Sequence, residues 1–314
     1  MTVFVYKLSL PVFLENFDPE GDMPSDSRSL PKSERTYNGR HIVCHKFKGN
    51  LGDLLFQYAS ILGMTRHQNR LFLASGNVAL ENVLRETKFR VGKNHCKSVV
   101  HLAERTCCHF DDNVAQIDTM KNYDIDGYLQ SWKYFNDMDS FVRKSLAFKP
   151  KLISTAKEII RDLLQHHKQS SSNITLIGVH VYTELKHHEE IEKFGYNVAP
   201  KSYYVKAMNY FSKRLKRPHA FLVVSDDAAW CRHNLKGLPN VHFVGSTQPE
   251  VGLAVLSLAE HSVISSGSVS WWAGYLSKGK VVYFKDFAKE DVGMMYNKDK
   301  LMADYIRPGW IPLS

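Results

Sequence analysis

The sequence predicts an α/β fold whose second half is a Rossmann-like unit on a parallel sheet. Three observations carry that expectation. Short apolar runs rich in β-branched residues recur at 174–181, 221–224, 241–244, 263–265 and 281–284, the pattern of buried strands. Segments of helical period at 201–215, 227–233, 250–259 and 269–277 lie between them, and strands alternating with helices demand right-handed crossovers and parallel pairing. Finally, the strand ends at Val181, Ser225 and Ser265 bring "VYTEL", "SDDAAW" and "SSGSVSWW" to one rim, where open α/β sheets collect their ligands.

Taken in chain order, the elements begin late. The opening "MTVFVYKLSLPVFL" is the nearest approach to a membrane span, but Lys7 and Pro11 interrupt it and it falls short of the roughly 18 apolar residues needed. A degraded anchor, the end of a missing one and an ordinary strand all fit it. Residues 15–40 are rich in Pro, Ser, Asp and Glu with no apolar period, so 1–40 reads as a linker or stem. A first α/β domain is expected over 41–170. It starts with a strand at 42–44, a tight loop carrying Gly49 and Gly52, and a helix over 54–64. Such a loop suits a phosphate, and it equally suits a turn that needs small residues. Residues 75–170 carry weaker signals: helices at 141–146 and 152–166, and an aromatic stretch, "GYLQSWKYF", that fits a core. The Rossmann-like domain occupies 171–314. Its helix 201–215 sets Tyr204, Met208, Phe211 and Leu215 on one face.

Composition narrows the function classes. With 314 residues and 44% hydrophobic content, the chain builds a large core and is not disordered as a whole. A net charge of +9 favours anionic partners without choosing among nucleic acid, anionic lipid and a sugar nucleotide. The run Lys213, Arg214, Lys216 and Arg217 sits at a helix end, where cations complement the dipole, and no aromatic residues interleave with it to stack bases. No nucleic-acid motif accompanies the charge, so a nucleic-acid partner is not expected. The five cysteines, Cys44, Cys96, Cys107, Cys108 and Cys231, lack CxxC spacing. His95, Cys96, His101, Cys107, Cys108 and His109 cluster locally without the paired spacing of a zinc site, which favours loop residues or a disulfide in an oxidising compartment over a metal. One sequon, Asn173-Ile174-Thr175, points weakly to a lumenal location with Asn173 as the glycosylation site. On the rim, Ser225, Asp226, Ser268 and Ser270 are all placed to cap the next helix.

A series of motifs in fixed order then resembles a known family, the α-1,2-fucosyltransferases of glycosyltransferase family 11. Where that family carries a stretch close to GGLGNQLFQYA, residues 49–59 read "GNLGDLLFQYA"; "GYLQSWKYF", "GYNVAPKSYYVKAMNYF", "FLVVSDDAAWC", "SVSWWAGYL", "VVYFKDF" and "RPGWIPL" follow. No single motif carries the resemblance, which spans about 41–314. It implies two Rossmann-like domains facing a cleft, a GT-B-like architecture. It also implies GDP-fucose as donor, a galactose-terminated glycan as acceptor, inversion at the anomeric centre, no metal and no cofactor. Animal members of the enzyme type are anchored in the Golgi, so a lumenal Golgi location is implied as well. His180 matches the histidine of the family's HxRRxD motif, and with Asp226 or Asp227 it would read the guanine edge. Ser268 and Ser270 would meet phosphate oxygens, and Gly49 and Gly52 would let the first domain close on the donor.

The chain departs from the family at a telling place. HVRRGD becomes His180-Val181-Tyr182-Thr183-Glu184-Leu185, so both arginines are gone. Asp53 replaces an asparagine, as a helix cap or as a negative charge near a dianion. Charge-assisted hydrogen bonds contribute about 1.5–3 kcal/mol each. Two lost arginines therefore remove about 3–6 kcal/mol, roughly 10²–10⁴ in leaving-group stabilisation. Lys186, His187 and His188 follow, but a flexible lysine is no guanidinium fork. Glu184 is one residue away from the family's acid, and no general base is assigned. Two expectations result: an impaired α-1,2-fucosyltransferase, and a non-catalytic relative that keeps the fold to bind glycans or regulate.

Overall fold

The computed structural model describes residues 36–37, 39–74, 76–91, 96, 99–165, 174–183, 195–245, 248–289 and 297–314. Asn173, Glu184, Lys186, His187, His188, His95 and nearly all of the expected N-terminal linker lie outside the described residues.

Two parallel sheets organise the described residues. The first contains β1 (Ile42–His45), β2 (Leu71–Ala74), β3 (Arg90–Val91), β4 (Val100–Ala103) and β5 (Tyr123–Asp126), in the order β3-β2-β1-β5-β4. Between and after them run α1 (Leu51–His67), α2 (Val78–Val83), α3 (Asp112–Ala115), a 3₁₀ segment (Trp132–Met138), α4 (Asp139–Ser145) and α5 (Pro150–Leu164). The sequence marked only the first of these strands. The others span four residues or fewer, and β4 is largely exposed, so no apolar period distinguishes it from a loop.

The second sheet is the one the periodicity outlined. Its strands are β6 (Thr175–Val181), β7 (His219–Ser225), β8 (Val241–Phe243), β9 (His261–Ile264), β10 (Val281–Phe284) and β11 (Ile311–Leu313), ordered β11-β10-β9-β6-β7-β8. The crossovers are α6 (Lys201–Ser212), α7 (Ala228–Leu235), α8 (Pro249–Ser257), α9 (Ser268–Leu276) and α10 (Lys298–Tyr305). β6 is almost fully buried, as a strand covered on both faces must be. Counting from β6, the strand order is the doubly wound arrangement, and it reverses between β6 and β9. That gap is the topological switch point.

α1 joins the halves. Thirteen of its 17 residues are buried, from Gly52 and Leu54 through Thr65, so it is a core helix packed on all sides rather than an amphipathic surface helix. Its partner is α9, whose Trp271 and Trp272 close on Phe56 at centroid distances of 4.5 and 5.0 Å. Both indoles donate a hydrogen bond, Trp271 to Tyr305 O (2.7 Å) and Trp272 to Gly52 O (2.9 Å), so neither of these two N–H groups is stranded. Charged contacts reinforce the junction: the buried Asp304 of α10 accepts from Lys133 Nζ (2.6 Å) and Phe110 N (2.8 Å) of the first half. Cys44 of β1 is bonded to Cys96 in a disulfide that closes 52 residues. Of the two outcomes left open for the cysteine cluster, a disulfide forms for this pair, and a loop of that length is worth about 4 kcal/mol in the chain-entropy account.

Candidate active site

At the switch point a chain of short polar contacts draws three strand ends together. Tyr182 N donates to Ser265 Oγ (3.2 Å), which donates to His180 O (3.1 Å). Ser265 N donates to Ser270 Oγ (2.8 Å), fixing the end of β9 to the first turn of α9. Thr183 N donates to Asp226 Oδ1 (3.0 Å), which links the end of β6 to that of β7. Gly267 makes the turn into α9 with φ +91°, and a Cβ there would lie 3.4 Å from the Tyr182 ring. A left-handed backbone under an aromatic ring is a position for glycine.

Beyond these ends lies a cavity of about 230 Å³. His180, Tyr182 and Asp226 line its second-sheet side, Asn50 and Leu51 close it from α1, and Val269 places the start of α9 on its wall. His180 is 7% exposed, and its Nδ1 has no hydrogen-bond partner. Burial pushes its imidazole down to about 4, against the opposing pull of the Asp226 carboxylate, so it is neutral at physiological pH. A buried ring nitrogen without a partner, on a residue that lines a cavity, is unsatisfied chemistry. No lysine or arginine lines the cavity among the described residues. The start of α9 therefore supplies the positive potential, about half a charge.

Several residues expected at this site have other duties. Asp227 caps α7, with Oδ1 accepting from Trp230 N (2.8 Å). This separates the two acids: Asp226 faces the cavity, and Asp227 does not. Ser270 is 0% exposed and spends its hydroxyl on Ser265 N, so it is turned away from the place where a phosphate oxygen would sit. Ser268 Oγ donates to Asp53 Oδ1 (2.6 Å) across the α1–α9 junction, and its neighbour Val269 lines the cavity instead. Gly52 does not face the cavity. A Cβ on it would lie 2.4 Å from Val269 N and 2.5 Å from Ser268 Oγ, so the missing side chain serves helix-to-helix approach. Gly49, at φ +89°, makes the turn before α1.

Asp53 combines two roles. With Asn50 it forms a capping box, Asn50 Oδ1 accepting from Asp53 N (3.2 Å) and Asp53 Oδ2 accepting from Asn50 N (2.9 Å). Its Oδ1 accepts from Ser268 and from Gln130 Nε2 (2.7 Å). Burial pushes its carboxyl up, and these bonds oppose that shift. Gln57 clamps the loop before α1, accepting from Lys48 N (3.0 Å) and donating to Lys48 O (2.6 Å). Of the two positions that lost arginine, only Tyr182 lines the cavity; Thr183 is buried, 2% exposed. Asn50 was not among the expected site residues, although Asn-x-x-Asp ahead of an apolar run is a capping signature. Nor were Leu51 and Val269, whose apolar side chains carry no signal at all.

Comparison with known proteins fits this geometry. Residues 38–314 match the family described as Glycosyl transferase family 11. The chain belongs to that family. This family 11 chain is 26% identical over 282 residues to the Galactoside 2-alpha-L-fucosyltransferase Sec1 of Mus musculus, covering 86% of this chain and 73% of the mouse protein. It is 25% identical over 276 residues to the Galactoside alpha-(1,2)-fucosyltransferase 1 of Saimiri boliviensis boliviensis, covering 85% and 74%. Among solved structures it is similar to the fucosyltransferase NodZ from Bradyrhizobium, with a TM-score of 0.52 at 13% identity, covering 79% of this chain and 95% of NodZ. A mutant of Arabidopsis thaliana FUT1 in complex with GDP gives 0.51 at 14% identity, covering 79% and 72%. At such identities the likeness is one of fold, the GT-B-like arrangement. Among the described residues there is no group of three or more His, Cys, Asp or Glu that could hold a metal, and no helix long and apolar enough to cross a membrane.

Proposed function

We propose that this family 11 chain transfers L-fucose from GDP-fucose to the 2-hydroxyl of a β-galactoside on a glycan, with weakened stabilisation of the GDP leaving group, in the Golgi lumen. The observation that carries the reading is the meeting of His180 and Asp226 on one wall of a cavity at the switch point. The family's named relatives act on galactosides with fucose, which supports the donor and acceptor classes. In this reading the two halves, 41–170 and 171–314, provide acceptor and donor sides, and the only ligands are the sugar nucleotide and the glycan.

The chemistry follows from the walls. The Asp226 carboxylate accepts two N–H bonds from the Watson–Crick edge of guanine, a pairing that adenine cannot offer. The free Nδ1 of neutral His180 serves as a further hydrogen-bond partner for the base. The diphosphate lies toward the N–H groups that open α9, where anions bind helix termini. As the bond from the anomeric carbon to the β-phosphate oxygen breaks, negative charge develops on GDP, and stabilising that charge is the main task of such a site. With Tyr182 where the family has arginine, the helix terminus does this alone among the described groups, and turnover is slow.

Calorimetry with GDP and ADP tests the reading. GDP binding with at least tenfold preference over ADP, lost in Asp226→Ala, is the expected result; equal affinity for the two nucleotides would remove its basis. The lack of a lysine or arginine among the described residues of the cavity wall favours a second reading, a non-catalytic relative that binds or regulates. GDP affinity without fucose transfer to any β-galactoside, even after an arginine is restored at position 182, would select it.

A further inference from the structure

Outside the cavity, one reactive pair has no part in the proposed transfer. Cys107 and Cys108 are adjacent in sequence, and their sulfur atoms are 2.9 Å apart. Unbonded carbon atoms, which are smaller, settle at about 3.5–4.0 Å. Cys108 has a left-handed backbone, φ +66°, a conformation that a non-glycine residue holds at a cost of order 1–3 kcal/mol. This strained turn brings the two side chains to the same side. Cys108 is buried, Cys107 is half-buried, and Cys44–Cys96 is already a disulfide in the same half of the molecule, so the chain fits an oxidising compartment.

We propose that Cys107 and Cys108 form a reversible modification site, a disulfide between neighbouring residues. The two thiols give up two protons and two electrons to a small-molecule disulfide, which leaves as two thiols. The new S–S bond closes a ring through one peptide unit. Adjacent residues joined by a trans peptide have their Cα atoms about 3.8 Å apart, shorter than the roughly 4.4–6.8 Å usual for a disulfide, so the bond is strained and readily reduced. The hydrogen-bonded neighbouring thiol of Cys108, and then burial, push the Cys107 thiol up, so exchange at neutral pH is slow and quickens as pH rises.

Oxidation would be felt at the α1–α9 junction. Cys108 Sγ donates to Gln130 Oε1 (3.3 Å), and a disulfide has no S–H with which to do so. Gln130 Nε2 holds Asp53, and Asp53 holds Ser268 at the start of α9. The pair is thus connected to the cavity wall by three consecutive side-chain contacts, and its redox state shifts the grip of that wall. This consequence rests on the nucleotide reading given above, whereas the modification itself does not.

The test equilibrates the full chain with oxidised and, separately, reduced glutathione, alkylates free thiols after unfolding, and weighs the tryptic peptide 106–121. That peptide contains Cys107 and Cys108 and no other cysteine. In oxidised buffer it should be unalkylated and lighter by two hydrogen atoms, and in reduced buffer doubly alkylated, with Cys231 alkylated in both. Double alkylation in oxidised buffer while Cys44–Cys96 stays linked would overturn the proposal, and so would glutathione adducts in place of the ring. GDP titrated into the two forms should differ by about tenfold in affinity in the native chain and not in Cys107→Ser. Equal affinities with the ring present would overturn the coupling while leaving the modification standing.

Discussion

Gly52→Ala is the substitution that most directly probes the junction beneath the cavity. The added Cβ would fall 2.4 Å from Val269 N, 2.5 Å from Ser268 Oγ and 2.6 Å from Ser268 C. Ordinary contact begins near 3.4 Å, so α1 and α9 must part by about 1 Å. Two of the three obstacles are backbone atoms and have no rotamer to escape into. Overpacking of this kind costs about 1–3 kcal/mol. Separation also stretches Trp272 Nε1 to Gly52 O and Ser268 Oγ to Asp53 Oδ1, worth about 1 and about 1.5–3 kcal/mol as neutral and charged hydrogen bonds. Alanine's better helix propensity returns at most about 1 kcal/mol. The net loss is about 2.5–6 kcal/mol, a large share of a normal domain's stability. Urea unfolding of Gly52→Ala beside Gly245→Ala measures it, because a Cβ at Gly245 meets nothing within 4 Å; that control should stay within about 0.5 kcal/mol of the parent. Since Asn50, Leu51 and Val269 line the cavity, GDP affinity should fall together with stability. A Gly52→Ala protein that loses less than about 1 kcal/mol and binds GDP normally would refute the account of the junction.

Two further outcomes follow from the cavity. Tyr182→Arg should raise GDP affinity about 10–100-fold, the worth of one charge-assisted bond at 1.4 kcal/mol per decade, whereas Thr183→Arg should destabilise the fold by on the order of 3 kcal/mol, because position 183 is buried and a guanidinium there must be desolvated and overpacks its surroundings; calorimetry and urea unfolding separate the two, and equal behaviour would contradict the assigned directions. His180 has a folded-state value of about 4 against an ordinary 6.5, so the unfolded chain binds the extra proton, and its contribution is full above pH 6.5 and lost as pH falls toward 4. That amounts to about 3 kcal/mol at most, and His180→Phe should flatten this part of the stability profile in unfolding experiments from pH 7 to pH 4.

What the sequence determined by itself was local. Period and composition located β6 through β10 and their crossover helices, because strands buried on both faces must be continuously apolar and the helices between them must show one apolar face. The glycine loop ahead of α1 was legible for the same reason, since a turn's backbone needs are met within a few residues. The tertiary structure decided everything that depends on which distant surfaces meet. Nothing in "SVSWW" announces that Ser270 turns inward to Ser265 while Val269 lines the cavity, or that Gly52 is a contact surface for α9. Asp226 and Asp227 are equivalent on paper, and only the direction of the β7 end makes one a cap and the other a cavity wall. The short strands of the first sheet, the pairing of Cys44 with Cys96, and the path from Cys108 through Gln130 and Asp53 to Ser268 share one physical cause. Each is held by partners far away in the chain, and a contact of that kind leaves no period in the sequence around either residue.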